Sequence, residues 1–326
     1  MKHPFTRRSM LAGLSSAAWA AWPGLSWAQT DRPIKFILPN ATGSGVDAIT
    51  RAAAPALGKA LGANVVVENQ AGAGGVVGLQ ALSKNAPDGY TLSVVSNNVV
   101  IFPSVLKSLP FDMPGDFTPI AIVGSTPMVL VVNPQKVTAT NSREFIAQLK
   151  AKPDGYNFGS GGNGTILHLA AEMFLDEAKA TARHIPYKGV GPMVTDLLGG
   201  QIEFGVVALP SVHQHIKSGA LRAIGMCADK RTPAAPDIPT FVEQGLTGYV
   251  MEAWFAVIGP KGLSAAQVKR VHDGVVAAFN DPGVKETMAK QGNTINVSST
   301  EQAQKGFRSE LAKYAALVKK AGIQPE

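Results

Sequence analysis

Short hydrophobic runs alternate along the chain with segments in which apolar residues recur at helical spacing. Ile34 to Leu38 is one such run, and it stops at Pro39, as a buried strand does when it ends in a turn. From Ala48 to Leu61 the apolar residues return at the spacing of an amphipathic helix. Similar strand and helix patterns follow one another to the C-terminus, so the sequence predicts an α/β fold.

The loop between this first strand and helix has the composition of an anion site. Gly43 and Gly45 permit backbone conformations that other residues avoid, and they let a ligand approach main-chain N–H groups. The first N–H groups of a helix have no internal partner and carry the positive end of its dipole. We therefore predict a first binding arm here, the alternative being an ordinary connection without a ligand. The candidate residues are Ala41, Thr42, Gly43, Ser44, Gly45 and Asp47.

A second segment repeats this construction about 120 residues further on. Tyr156 to Phe158 lead into a glycine-rich loop, and a helical pattern resumes at Leu167. Two such units are hard to explain by packing alone, and they fit two arms that meet across a cleft. His168 either donates to the ligand or the loop, or is a partly buried residue that caps local backbone. The candidate residues of this second arm are Ser160, Gly161, Asn163, Gly164, Thr165 and His168.

Two amides follow the strand predicted over Tyr90 to Val95. In open α/β sheets ligands bind at the carboxyl ends of the strands, so Asn97 and Asn98 are candidate pocket donors. Their alternative role is to form the turn after the strand, as asparagine commonly does.

A glycine-rich run from Ala71 to Gly78 invites comparison with dinucleotide-binding loops. Counted from Gly72, the G-x-G-x-x-G pattern needs glycine where Val77 stands, and no convincing acidic residue follows for the ribose. The run instead predicts close packing of a helix on the sheet, and we expect no cofactor.

The chain is long enough for two lobes. Apolar runs at 123–133 and 254–258 are long enough to leave one lobe for another and to return. We predict lobe 1 over 29–130 plus 252–326 and lobe 2 over 131–251.

Two long helices close the chain. One begins at Ser264, and the other begins at Ser298 with Glu301 completing a capping box. Their apolar stripes predict that both pack against lobe 1 as core.

The N-terminus has the pattern of an export signal. Lys2, Arg7 and Arg8 precede an uncharged run that ends near a small-x-small cleavage site at Ala28. Residues 1–28 are therefore a predicted signal peptide, which uses either the twin-arginine or the Sec route. The exported protein is expected in the periplasm.

Charge and cysteine content exclude several classes of function. Loss of the three signal-peptide cations lowers the formal net charge from +7 to +4, and no basic stripe suggests nucleic acid. This mild positive balance favours anionic solutes. Cys227 stands alone, and the histidines are scattered, so neither a disulfide nor a metal site is expected. No serine lies in a G-x-S-x-G context that would suggest a nucleophile.

Six short motifs follow one another in a fixed order between Arg32 and Gly322. They are Pro39-x-x-x-Gly43-x-Gly45-x-Asp47, Val66-Val67-Glu68-Asn69-x-x-Gly72-Ala73-Gly74-Gly75, Ala86-Pro87-Asp88-Gly89-Tyr90-Thr91, Gly161-x-Asn163-Gly164-x-x-x-His168-Leu169-Ala170, Pro186-Tyr187-Lys188-Gly189 and Asp196-Leu197-Leu198-Gly199-Gly200. Together they resemble the Bug family, the periplasmic solute receptors of tripartite tricarboxylate transporters.

The resemblance implies a two-lobed periplasmic-binding-protein fold of type II. Two mixed-sheet α/β domains would be joined by two crossing strands, with a ligand cleft between them. In such receptors the two loops act as pincers on a carboxylate, helped by ordered water, and here these are Ala41 to Asp47 and Ser160 to Thr165 with His168. Tyr187 of the fifth motif and Val207 complete the ligand-binding residues that we predict. The implied partners are a small organic carboxylate and the membrane subunits of a transporter.

The chain departs from the family pattern at positions that bear on the ligand. Asn40 replaces the usual phenylalanine, Thr42 and Ser44 stand where alanine or glycine is common, and Val207 replaces a frequent acidic residue. An amino-acid ligand needs an acceptor for its ammonium, and Val207 offers none, while Asp47 is better placed as a local cap.

We therefore expect a monomeric receptor for a non-amino organic acid, either a dicarboxylate or an aromatic carboxylate. Its second polar end would meet neutral donors among Asn97, Asn98, Thr165 and His168. Two other functions are an α/β enzyme acting on a carboxylated substrate and a receptor for an inorganic oxyanion.

Overall fold

The computed structural model describes residues 32–320 and 322–325, so the predicted signal peptide lies outside the described residues. Within them no helix is both long and apolar enough to cross a membrane. The strands are β1 (Ile34–Leu38), β2 (Val65–Asn69), β3 (Thr91–Ser96), β4 (Phe117–Val132), β5 (Asn157–Ser160), β6 (Arg183–Pro186), β7 (Phe204–Ala208), β8 (Arg222–Met226), β9 (Glu252–Pro260) and β10 (Thr294–Ile295).

Helices connect most of these strands. They are α1 (Gly45–Leu61), α2 (Val76–Ser83), α3 (Asn98–Val105), α4 (Ser142–Ala151), α5 (Ile166–Ala178), α6 (Val190–Leu198), α7 (Leu209–Lys217), α8 (Ala265–Phe279), α9 (Pro282–Lys290) and α10 (Thr300–Lys320).

The strands form one mixed sheet in the order β2-β1-β3-β9-β4-β7-β5-β6, with β8 and β10 also paired to β4. Strands β2, β1 and β3 run parallel to one another, and so do β7, β5 and β6. Strands β9 and β4 are antiparallel to their neighbours and separate these two parallel groups. The predicted mixed α/β fold is confirmed, and the loops after β1 and β5 lie at the carboxyl ends of parallel strands.

Strand β4 changes its pairing partners along its length. Phe117 to Pro127 pair with β9, Met128 to Val132 pair with β7, and Val129 to Val132 also pair with β8. Both predicted crossings therefore exist as strands, and they are hydrogen-bonded to each other. The lobe boundaries at 130/131 and 251/252 remain a prediction.

The apolar stripe of α1 explains its place on the sheet. Val46, Ile49, Ala53 and Leu57 recur every three or four residues, and all are buried in a cluster that includes Phe36 of β1. Burial of such a stripe stabilises the helix far more than its intrinsic propensity does.

The glycine-rich run before α2 packs closely, as predicted. A Cβ atom placed on Gly78 would lie 2.8 Å from Cα of Pro39 and 2.9 Å from the backbone oxygen of Gln70. Only glycine lets α2 lie this close to Pro39, which follows β1.

The C-terminal helix reaches beyond lobe 1. Phe307 and Tyr314 are buried, and the indole Nε1 of Trp254 donates a 3.1 Å hydrogen bond to Glu310. At the far end, Lys320 Nζ lies 3.4 Å from Asp176 Oδ2 of α5. Helix α10 therefore packs on α3 and β4, as expected for lobe 1, and it also contacts α5 of predicted lobe 2.

The predicted capping box of α10 is wrong by one residue. Ser299 N–H donates to Gln302 Oε1 at 2.9 Å, and Gln302 N–H donates to Ser299 Oγ at 3.1 Å. The Ser298 hydroxyl instead accepts from Ile122 N–H of β4. Tertiary contact with the sheet thus decides which serine caps the helix.

Candidate functional site

The first arm is an exposed loop that ends at the start of a long helix. Ala41, Thr42 and Gly43 are exposed. Ser44 is the N-cap, and its Oγ accepts from Asp47 N–H at 3.3 Å, so α1 begins at Gly45, earlier than the apolar spacing predicts.

The start of α1 has unpaired donors and open space. In the part of the chain that the structure describes, the backbone N–H groups of Gly45 and Val46 have no hydrogen-bond partner. A Cβ placed on Gly43 or Gly45 would meet no atom within 4 Å. Helix N-terminal donors beside open space are the elements of an anion site.

Asp47 holds this loop in place. Its Oδ2 accepts from Gly43 N–H at 2.9 Å, and its Oδ1 accepts from Arg51 Nε at 2.8 Å and from Asn69 Nδ2 at 2.9 Å. Burial alone would raise the pKa of Asp47, but the hydrogen bonds from Gly43, Asn69 and Arg51 hold that pKa below its usual value. The carboxylate therefore accepts three hydrogen bonds from the protein, and one of them occupies the N–H group of Gly43.

The second arm lies between β5 and α5 and is more deeply buried. Thr165 is the N-cap, because its Oγ1 accepts from His168 N–H at 3.4 Å and donates to Gly162 O at 2.8 Å. A Cβ on Gly164 would collide with Val105 of α3, so this arm packs directly on α3. Gly161 is partly exposed and Asn163 is exposed.

His168 accepts a hydrogen bond from this loop. Its Nδ1 accepts from Gly164 N–H at 3.3 Å, and its Nε2 lies 3.6 Å from Glu172 Oε1. The side chain is 8% exposed. Of its two predicted roles, these contacts are those of a partly buried histidine that caps local backbone.

His184 is a feature of the second arm that the sequence did not indicate. Its ring stacks on His168 with centroids 3.7 Å apart, and its Nε2 lies 2.7 Å from Ser160 Oγ. Burial, with a smaller effect from His168, lowers the pKa of His184 to about 3. A neutral ring can therefore support the arm. The sequence pattern of residues 184–189 predicts a strand and a polar loop but not this stacking, because the partner, His168, belongs to another element.

The two amides after β3 have different roles. Asn98 Oδ1 accepts from Ile166 N–H at 2.9 Å and so joins the start of α3 to the start of α5. Asn97 is fully buried, and its Nδ2 donates to Glu252 O at 3.1 Å and to Tyr314 Oη at 2.8 Å. Both amide hydrogens of Asn97 are used, so the pocket-donor prediction for Asn97 is not supported by this geometry.

Tyr187 and Val207 both contact other parts of the protein. The Tyr187 hydroxyl donates to Asp196 Oδ2 at 2.8 Å, and burial together with Asp196 raises its pKa to about 12. Val207 is fully buried, opposite Val129 in the ladder between β7 and β4. Its side chain belongs to the core and lines no open surface, so the argument from Val207 to the ligand class loses its premise.

The site has few elements of catalysis. Ser160 Oγ and His184 Nε2 are close enough for a nucleophile and base, but Ser160 is fully buried. No acid orients the other ring nitrogen of His184 among the described hydrogen bonds and ion pairs, as a triad requires. Over the same residues no group of three or more metal-ligating side chains is found.

Comparison with known proteins places the chain in a family. Residues 49–323 match the family model described as tripartite tricarboxylate transporter family receptor. Protein BugT of Bordetella pertussis is 36% identical over 295 residues, which cover 90% of this chain and 90% of BugT.

Solved structures of similar proteins support the same family assignment. The periplasmic binding protein BugD is 30% identical with a TM-score of 0.84, covering 91% of this chain and 99% of BugD. Rhodopseudomonas palustris Rpa4515 with adipate is 25% identical with a TM-score of 0.86, over 94% of this chain and 100% of that one. MatC of the same organism, with bound malate, is 25% identical with a TM-score of 0.79, covering 88% of this chain and 99% of MatC. These neighbours confirm the two-lobed fold, and the chain belongs to the tripartite tricarboxylate transporter receptor family of periplasmic solute-binding proteins.

Proposed function

We propose that this protein captures a small organic carboxylate in the periplasm and delivers it to the membrane subunits of a tripartite tricarboxylate transporter. The observation that carries the proposal is the pair of unpaired N–H groups, Gly45 and Val46, at the start of α1 beside open space. They offer hydrogen bonds and the positive end of a helix dipole without any cationic side chain. The adipate and malate bound to two structural neighbours support a carboxylate ligand.

The second arm would act mainly through its position. Its helix start is held by Asn98, and its loop is held by His168 and Thr165. Asn98 Oδ1 is committed to Ile166, so the Nδ2 group of Asn98 is the donor that remains for a ligand. We propose that this donor meets the second polar end of the acid.

The ligand we propose lacks an ammonium group. Asp47 is the acidic residue of the first arm, and its oxygens already accept from Gly43, Arg51 and Asn69. A buried ammonium without an anionic partner is costly. This argument replaces the one from Val207, and it again favours a dicarboxylate or an aromatic carboxylate.

Thermal-shift screening of the mature protein tests the proposal. The panel contains C4 to C6 dicarboxylates, citrate, benzoate, phthalate isomers, aspartate, glutamate, phosphate and sulfate. A ligand at about 100 times its dissociation constant stabilises the folded state by roughly 2.7 kcal/mol, which raises the melting temperature by a few degrees. Calorimetry on each hit gives the stoichiometry.

The outcomes separate the candidate functions. Stabilisation by non-amino carboxylates without turnover supports the proposal. Stabilisation by phosphate or sulfate alone would indicate an oxyanion receptor, and chemical conversion of a bound acid would indicate an enzyme. Binding of aspartate or glutamate alone would show that the ammonium argument is wrong.

A further inference from the structure

Asn97 lies at the turn between β3 and α3, and its side chain bonds to two segments that are distant in sequence. It occupies the N-cap position of α3, where asparagine commonly accepts from backbone N–H groups of its own helix, but it makes no such bond. Its Nδ2 group donates instead to Glu252 O at 3.1 Å and to Tyr314 Oη at 2.8 Å. The amide therefore ties the start of α3 to the start of β9 and to α10.

These two bonds are the hydrogen bonds that hold the Asn97 side chain among the described residues. Its Oδ1 is shielded from solvent, and no described residue donates to it. A flipped amide would place Oδ1 against the carbonyl oxygen of Glu252, and two acceptors cannot bond to each other. The orientation of the amide is therefore fixed, and the Tyr314 hydroxyl accepts one of its two bonds.

The apolar pattern of α3 gives little direction to the rotation of this helix about its axis. Five of its eight residues are apolar and buried, and these are Val99, Val100, Ile101, Phe102 and Val105. Burial of apolar surface is not directional, whereas a hydrogen bond is. The bonds of Asn97 and Asn98 at the start of α3 supply that direction.

Asn98 is the residue whose position depends most on this rotation. It is partly exposed, its Oδ1 accepts from Ile166 N–H at 2.9 Å, and no described residue accepts from its Nδ2 group. This Nδ2 group is the donor proposed above for the second polar end of the ligand. Asn97 directly precedes Asn98, so a shift of Asn97 also moves that donor.

We propose that Tyr314 is a positioning residue for ligand binding, because its hydroxyl holds Asn97 and thereby places the Asn98 donor against the second carboxylate of a dicarboxylate. Tyr314 is 2% exposed, so it acts through Asn97 and Asn98 and not by touching the ligand. Loss of its hydroxyl should weaken recognition of the second carboxylate, while the start of α1 still binds the first. The inference rests on the proposed function and narrows its ligand class to dicarboxylates.

Matched pairs of acids test this inference by calorimetry on the mature protein. In each pair a methyl group replaces one carboxylate of the dicarboxylate. The pairs are succinate with butyrate, malate with 3-hydroxybutyrate, adipate with hexanoate, and phthalate with 2-methylbenzoate. We expect the wild type to bind at least one dicarboxylate about tenfold more tightly than its partner, as one hydrogen bond to a charged group allows.

Tyr314→Phe should remove most of this preference and leave the affinity for the monocarboxylate within about twofold, because the donors of α1 are unchanged. Asn98→Ala should remove the preference as well. Adding Tyr314→Phe to Asn98→Ala should then remove nothing further, since both changes act on the same donor.

Tyr249→Phe is the matched control. Tyr249 is also a buried tyrosine, and its hydroxyl donates to Ala170 O at 2.7 Å and not to Asn97. Loss of this hydroxyl should change the affinity for both acids of a pair by the same factor and so keep the preference. Melting curves show that each variant folds.

Equal affinities within every pair for the wild-type protein would overturn the inference. An unchanged preference in Tyr314→Phe would do the same, as would an equal loss of affinity for both acids or an equal loss of preference in Tyr249→Phe. Absence of binding by all of these acids would instead overturn the proposed function.

Discussion

The side-chain oxygen of Asn98 accepts a hydrogen bond of 2.9 Å from the backbone N–H of Ile166. One residue follows β3, and the other begins α5, so this bond joins predicted lobe 1 to predicted lobe 2 directly. It lies beside the contact of Gly164 with Val105. The second arm is thus in contact with α3, and the bond uses an N–H group of the second helix start.

Replacing Asn98 should loosen this contact. Asn98→Ala leaves Ile166 N–H without its acceptor, which costs about 1 kcal/mol and lowers the melting temperature by a few degrees. The contact between the lobes also weakens, so small-angle scattering of the ligand-free variant should show a larger radius of gyration than the wild type.

Asn98→Asp is the matched variant. Its carboxylate still accepts from Ile166 N–H, so the fold stays stable, but its charge repels a bound carboxylate and weakens binding. An unchanged melting temperature and scattering profile for Asn98→Ala would show that the bond does not hold the lobes together.

Gly43 should be the most sensitive position of the first arm. Its φ of +82° is strained for any other residue, although a Cβ there would meet no atom within 4 Å. Gly43→Val should therefore disturb the loop through its backbone and weaken ligand binding at least tenfold by calorimetry.

Arg51→Ala is the comparison for Gly43→Val. It removes one hydrogen bond to Asp47, while Gly43 and Asn69 still hold the carboxylate, so binding should fall only severalfold. Normal binding by Gly43→Val, or complete loss in Arg51→Ala, would contradict the backbone model of this arm.

Val207→Ala should affect stability and leave ligand preference unchanged. The variant removes two buried methyl groups from the core between β4 and β5, at a cost of about 2 kcal/mol. Denaturant unfolding measures that loss, and the ligand panel measures preference. A changed order of preference among the acids would show that Val207 contacts the ligand after all.

His184 should make stability depend on pH. Its pKa is about 3 in the folded protein and near the ordinary 6.5 in the unfolded chain. Between these two values the ring is protonated in the unfolded chain and neutral in the folded protein. The contribution of His184 to the free energy of unfolding is therefore fully present above pH 6.5 and is lost progressively as the pH falls from 6.5 towards 3.

His184→Gln isolates this effect, because glutamine keeps a polar side chain near Ser160 but does not titrate. Between pH 7 and pH 5 the wild-type melting temperature should fall more than that of the variant. Equal decreases would mean that the ring is protonated at little cost in the folded protein.

The sequence by itself determined the elements of the fold that depend on local pattern. Short-range periodicity predicts β1, α1 and the two crossing strands. The two glycine loops follow from turns that glycine adopts more readily than other residues. The sequence did not predict α3, because this helix is apolar on nearly every face and shows no amphipathic period.

Only the tertiary structure decided what the polar side chains contact. Asn97 bonds to Tyr314, 217 residues away along the chain, and no local pattern reports such a partner. Val207 lies in β7, which has β4 on one side and β5 on the other, so its surroundings come from strands distant in sequence. Backbone shape is largely a local property, whereas the partners of a side chain depend on which distant elements pack beside it.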